Sequence, residues 1–273
     1  MKSTTIRFGI VADGPRADEA FVDLAAAILR AHGPTLEPVL FSSHAGLLDA
    51  CTMGLCDAVW APPLVAHELR FSEVKKPVAI VVREAGAFYH SALVVRSDGR
   101  GRVPGLHELG GKRMAWVSPR SAAGYVVPYL QLRALGYDPD RYFGGQQFFF
   151  THARAVLALE LGEVDAAATY AHVGQDGAFH VEHARDAHIV MTAGPIPGDV
   201  ILTREGVDPS FARALVRAVV PADGALARTT GARRFDPAPE RHFRAIERWT
   251  SLANAIGVLA PRRERAYQAM TAV

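Results

Sequence analysis

Part of this chain is written twice. Residues 43–58 read Ser-His-Ala-Gly-Leu-Leu-Asp-Ala-Cys-Thr-Met-Gly-Leu-Cys-Asp-Ala, and residues 151–166 read Thr-His-Ala-Arg-Ala-Val-Leu-Ala-Leu-Glu-Leu-Gly-Glu-Val-Asp-Ala. The offset is 108: Ser43 matches Thr151, His44 matches His152, Gly54 matches Gly162 and Asp57 matches Asp165. Upstream, Arg7-Phe8-Gly9-Ile10-Val11 resembles Arg113-Met114-Ala115-Trp116-Val117 at an offset of 106. Two matched segments in one order predict two related α/β lobes. Each matched segment reads as a hydroxyl cap, a helix, a glycine stop and a buried strand.

The rest of the chain fits that plan. Apolar runs at 6–12, 36–41, 57–61, 78–82 and 92–95 read as strands, with helical spacing at Phe21, Leu24, Ala25, Ile28 and Leu29 between the first two. Asp13-Gly14-Pro15 reads as a turn, and Ser97 to Gly105 as a link between lobes. Further strands are expected at 114–117, 147–150, 166–170, 188–192 and 199–202, with a mostly helical, Arg-rich tail from Pro209. This βα alternation gives an α/β fold with mostly parallel sheets. The expected division is 1–95 with 199–273 for lobe 1 and 96–198 for lobe 2.

The stretch from Arg113 to Pro128 carries the main candidate site. Ser118, Pro119 and Arg120 turn the chain after a short strand, and Ser121 can cap a helix starting at Ala122. Ala122, Ala123 and Gly124 keep that helix start open, and Tyr125 follows. Free N–H groups and the positive end of a helix dipole suit an anion. An ordinary strand-to-helix turn has the same local sequence. His44 with its Ser43 cap, and His152 with its Thr151 cap, lie at strand carboxyl ends, where α/β folds bind ligands. Each reads either as a wall of one cleft or as an exposed helix-start residue. Trp60, Tyr89, His90 and Tyr170 read as pocket walls or core aromatics. Asp199 stands as a polar group that could meet a neutral or cationic ligand, and with His152 as a scattered pair on which catalysis is an open reading.

Composition excludes several classes. The chain has 273 residues, 49% hydrophobic and 21% charged, with a net charge of +2. No nucleic-acid partner is expected from that balance, and no apolar stretch has transmembrane length. Cys51 and Cys56 fit no metal or redox spacing and are expected to be buried thiols. His180-x-x-His183, with His188 nearby, reads as a surface link rather than a metal site. No Walker loop, dinucleotide fingerprint or nucleophile elbow is present. No cofactor and no metal are expected, and the protein is expected to be a monomer. The start of the sequence shows no export leader, which reads as cytoplasmic unless a leader has been removed.

From about Ile6 to Val220 the chain resembles the phosphate/phosphite/phosphonate-type substrate-binding proteins of ABC importers. The resemblance rests on Gly111-Lys112-Arg113 leading to Pro119-x-Ser121-x-x-Gly124-Tyr125, on Gly162-Glu163-Val164-Asp165-Ala166, on Pro195-Ile196-Pro197-x-Asp199 and on Asp57-Ala58-Val59-Trp60-x-x-Pro63. It implies a two-lobed periplasmic-binding-protein-like fold of type II with a ligand cleft between lobes. It also implies a small, anionic ligand and an ABC permease as partner, in transport or sensing. In the family the helix start reads Pro-x-Ser-Thr-Ser-Gly. Here Ala122 and Ala123 replace two hydroxyls, and the family His inside the next helix has Ala153 at its place, with His152 one residue earlier. Each lost bond to a charged group is worth roughly 1.5–3 kcal/mol. Phosphonate, carboxylate and a larger, partly apolar ligand therefore all stay open. The alternative function is a cytoplasmic biosynthetic enzyme, such as a lyase, on the same bilobal fold.

Overall fold

The structure is a computed structural model that describes residues 5–11, 17–71, 76–97, 101–181 and 186–259. The turn expected at Asp13-Gly14-Pro15, part of the link at 98–100, His183, and the tail beyond 259 lie outside the described residues. The chain divides into two compact units. The first comprises Met1–Phe88 and Pro197–Ile246, the second Tyr89–Ile196 and Glu247–Val273.

The first unit opens with β1 (Ile6–Val11), α1 (Ala17–Arg30), β2 (Leu36–Phe41), α2 (His44–Thr52), β3 (Ala58–Ala61), α3 (Pro63–Phe71) and β4 (Lys76–Arg83). Helix α1 forms because Ala20, Leu24, Ala27 and Ile28 recur on one buried face, with Asp18 and Glu19 in the first turn and Arg30 in the last. Strand β3 is buried along its whole length, which explains its unbroken Ala-Val-Trp-Ala content. The chain then forms β5 (Phe88–Arg96), β6 (Arg113–Trp116), a π-helical turn at Ala122–Val126, α4 (Val127–Ala134), α5 (Pro139–Tyr142), β7 (Gly145–Phe148), α6 (His152–Glu160), β8 (Ala166–Val173), β9 (Phe179–His180) and β10 (Ala187–Pro197). It closes with β11 (Val200–Thr203), α7 (Ser210–Arg217), α8 (Ala225–Thr230), β12 (Ala232–Pro237) and α9 (Glu240–Ala255).

The first sheet runs in the order β12-β4-β11-β3-β1-β2, around a core that includes Phe8, Phe21, Leu24, Phe211 and Phe235. The second runs β10-β5-β8-β6-β7, with β9 paired to β8. Its core joins Ala92, Val94, Ala115, Val117, Ala155 and Leu159. Both sheets are mixed. Strand β1 is parallel to β2 and β3, and β6 is parallel to β7 and β8. Strand β11 is antiparallel to β3 and β4, β12 to β4, and β5 to β8. The antiparallel members are the strands that no βα repeat generates.

Three sequence expectations shift. Residues 89–95, read as the first lobe, pair through β5 with β8 and so belong to the second sheet. The strand expected at 147–150 lies at 145–148, because Phe150 turns to a φ of 67° and leaves the ladder. The tail contains β12, whose register shifts between Ala232 and Arg234, so that Ala232 and Phe235, three apart, are both buried and no simple alternation shows in Ala-Arg-Arg-Phe-Asp-Pro.

The repeated segments take the same local form. Ser43 Oγ accepts the Gly46 N–H at 3.2 Å, and Thr151 Oγ1 accepts the Arg154 N–H at 3.1 Å. Gly54 and Gly162 end the two helices at φ of 72° and 76°, a region that favours glycine. Arg7 Nε donates to Asp57 Oδ2 at 3.0 Å and its Nη2 to the Gly54 carbonyl at 2.8 Å. Arg113 Nε donates to Asp165 Oδ2 at 3.1 Å and its Nη2 to the Gly162 carbonyl at 2.9 Å. Each arginine thus clasps the start of its strand to the helix–glycine–strand junction that follows.

Candidate functional site

In the second unit, β6 connects to β7 on one side, and β7 connects back through α6 to β8 on the other side of β6. The strand order therefore reverses between β6 and β8, and ligands in such sheets bind at the carboxyl ends beside that reversal. The 118–124 turn follows the carboxyl end of β6, and Thr169 and Tyr170 lie at the middle of β8. Strand β5 runs antiparallel to β8, so its start reaches the same edge: His90 lies opposite Ala171 and Ser91 opposite Tyr170.

The turn is tightly determined. Ser121 takes the extended N-cap conformation, and its Oγ accepts the Gly124 N–H at 3.0 Å. The Val126 N–H reaches the Ser121 carbonyl at 3.0 Å, a π-helical bond. The Ala122 and Ala123 N–H groups precede it, at the positive end of the helix dipole. The Val117 N–H donates to the Gly124 carbonyl at 3.0 Å, which draws the turn against the strand. A Cβ at Gly124 would lie 2.2 Å from Val117 Cγ2, so only glycine fits. Ser91 is buried, and its Oγ donates to the Ala123 carbonyl at 2.8 Å, fixing that peptide from β5.

A second group lies beside the turn. His152, the first residue of α6, shares a hydrogen bond between Nδ1 and Thr169 Oγ1 at 3.1 Å. Its ring meets that of Tyr170 edge-on, with centroids 4.9 Å apart. Thr151, half-buried, caps the helix. His90 packs edge-on to Phe179 at 4.9 Å, and its Nδ1 is buried with no hydrogen-bond partner. Burial pushes its pKa down, so the ring is neutral at neutral pH. Tyr89, Ser118 and Arg120 are half-buried along this edge.

Other sequence candidates sit elsewhere. Tyr125 is in the core, its ring 5.3 Å from Trp116 and 5.0 Å from Phe148. Trp60 is 6% exposed, and its indole N–H donates to Asp199 Oδ2 at 3.0 Å within the first unit. Arg83 Nη2 donates to the same oxygen at 2.7 Å, so the Asp199 carboxylate is neutralised by an internal partner. His44 begins α2 in the first unit, half-buried. His180 bonds Asp176 at 3.0 Å and stacks on His172. Among the described residues no group of three or more His, Cys, Asp or Glu is arranged to hold a metal ion. Cys51 and Cys56 are buried and form no disulfide.

Sequence reasoning missed Ser91 and Thr169 as site residues. Their signal was present: Ser91 opens directly onto the apolar run 92–95 and Thr169 follows three alanines, and a buried hydroxyl requires a partner.

The family described as ABC transporter, phosphonate, periplasmic substrate-binding protein matches residues 8–243. The chain belongs to this family. This phosphonate-family binding protein shares its fold with the binding protein component of an ABC phosphonate transporter from Pseudomonas aeruginosa. That likeness has 16% identity, covers 98% of this chain and 96% of the other, and has a TM-score of 0.74. PhnD1 from Prochlorococcus marinus, solved with methylphosphonate, gives 14% identity, 93% and 98% coverage, and a TM-score of 0.72. A Xanthomonas citri protein solved bound to ATP gives 18% identity, 94% and 100% coverage, and a TM-score of 0.71. No curated protein sequence matches this binding protein. Among its described residues no helix is long and apolar enough to cross a membrane.

Proposed function

We propose that the protein binds a small organic anion at the 118–124 turn of its second unit and delivers it to an ABC permease. The observation that carries this reading is the fixed turn itself. Ser121, Gly124 and Ser91 hold the Ala122 and Ala123 N–H groups at a helix start beside a strand-order reversal. Family membership supports it, as do two structural neighbours solved with methylphosphonate and with ATP, both carriers of phosphorus oxyanions. Arg120 and Ser118 supply a positive charge and a hydroxyl at the same turn, and His152 with Tyr170 forms the facing polar–aromatic side.

Calorimetry with methylphosphonate, phosphate and acetate tests the proposal. Ser121→Ala and Arg120→Ala are each expected to weaken anion binding about tenfold, the effect of roughly one charge-assisted bond. Ala122→Thr, which restores a family hydroxyl, is expected to tighten methylphosphonate binding. If the protein binds methylphosphonate and none of the three substitutions moves its affinity, the anion is held elsewhere.

A further inference from the structure

Phe150 is out of place in two ways. Its φ of 67° lies in the left-handed region, where a bulky side chain is a rare outlier. It is also 56% exposed, although phenylalanine is ordinarily a core residue. The conformation is held in place by its neighbours: the Phe150 N–H donates to the Val117 carbonyl at 2.6 Å, and the Thr151 N–H to the Phe149 carbonyl at 2.9 Å. The first bond puts the Phe150 backbone at the carboxyl end of β6, beside Ser118. The second leads directly into the cap of α6 and His152, whose ring meets Tyr170. A strained, exposed aromatic thus stands between the two groups of the candidate site. In the 118–124 turn, Ala122 and Ala123 carry methyl groups and are themselves buried.

Resting on the anion site proposed above, we infer that Phe150 is a specificity-determining residue and that the ligand carries a planar, apolar group beside its anionic one. Aromatic rings pack on such groups with large contact area and little loss of freedom. The ligand class is an arylphosphonate or similar aromatic oxyanion, rather than inorganic phosphate or methylphosphonate.

The test compares phenylphosphonate with methylphosphonate on the whole protein by calorimetry. The wild type is expected to bind phenylphosphonate at least tenfold more tightly. Phe150→Ala removes the ring and keeps a side chain in the left-handed region. Phe150→Gly removes the ring and the strain together. Both variants are expected to bring the two affinities within about twofold, by weakening phenylphosphonate binding more than methylphosphonate binding. Phe150→Gly is expected to melt higher than Phe150→Ala, which shows that both are folded and that the strain is real. If the wild type binds methylphosphonate but shows no preference for the phenyl compound, the inference falls and the anion site stands. A preference that survives in both variants also overturns it. If neither compound binds, the anion-site reading fails and this one fails with it.

Discussion

The two arginine–aspartate clasps are alike in geometry and unlike in exposure. The Asp57 side chain is 8% exposed and accepts a further bond from Arg204 Nε at 2.6 Å, whereas that of Asp165 is 35% exposed. The hydrogen bond from Arg7 is the main cause holding the Asp57 carboxyl well below the usual carboxylate range, and Arg113 does the same for Asp165. Asp57→Asn is expected to lower stability by about 2 kcal/mol, within the range for bonds to a buried charge. Asp165→Asn is expected to cost about 1 kcal/mol or less, because water screens a pair so exposed. A folded pKa below the unfolded one means stabilisation that is complete above roughly pH 4 and lost as pH falls through the lowered value. Urea titrations at neutral pH and below pH 4 check this. The gap between wild type and Asp57→Asn should narrow in acid. Arg7, Arg113, Asp57 and Asp165 were visible in the sequence as matched members of a repeat, though not their joining into clasps. Their difference in exposure was not, because Arg204 reaches Asp57 from a segment 147 residues away.

Among the elements, α6 and the turn before α4 give the clearest expectations. Thr151→Ala removes the cap on α6 and should cost about 1 kcal/mol, measured by chemical denaturation. It also releases the N-terminal end on which His152 stands, so methylphosphonate affinity should fall with stability. Gly124→Ala should cost about 3 kcal/mol or more, since the added methyl meets the Val117 side chain and the strand cannot recede. A variant as stable as wild type would show that the turn can move away from β6. The caps at Ser43, Ser121 and Thr151 were legible because a hydroxyl before a helical run has a local cause. The π-helical form of 122–126 was not. It depends on the Val117–Gly124 bond and on Ser91, which approach from β6 and β5. The same limit applies to Trp60 and Asp199. As single residues they suit a ligand, and only the sheet brings them and Arg83 together.

For the molecule as a whole, the residues that the structure gathers at the candidate site all belong to the second unit, from Tyr89 to Tyr170. Methylphosphonate at about a hundred times its dissociation constant should add roughly 2.7 kcal/mol to stability by mass action. Hydrogen exchange should show slowed amides at 118–125, 149–153 and 169–171. Protection confined to 57–61 and 199–203 would place the ligand in the first unit instead. The arrangement of the clasps has a consequence for how such a protein changes over generations. Arg113 opens β6 and Ser118 follows its end, so clasp and turn are separated by the length of the strand, about 13 Å at 3.3 Å per residue. The clasp at one edge of the sheet therefore adds durability without touching the residues at the opposite edge that would set taste. Substitutions at the turn, such as the two alanines at 122 and 123, leave the Arg113–Asp165 clasp untouched. A lineage could lose a hydroxyl at 122 or 123, try a new cargo and keep a folded protein, provided that Gly124 stays packed on Val117.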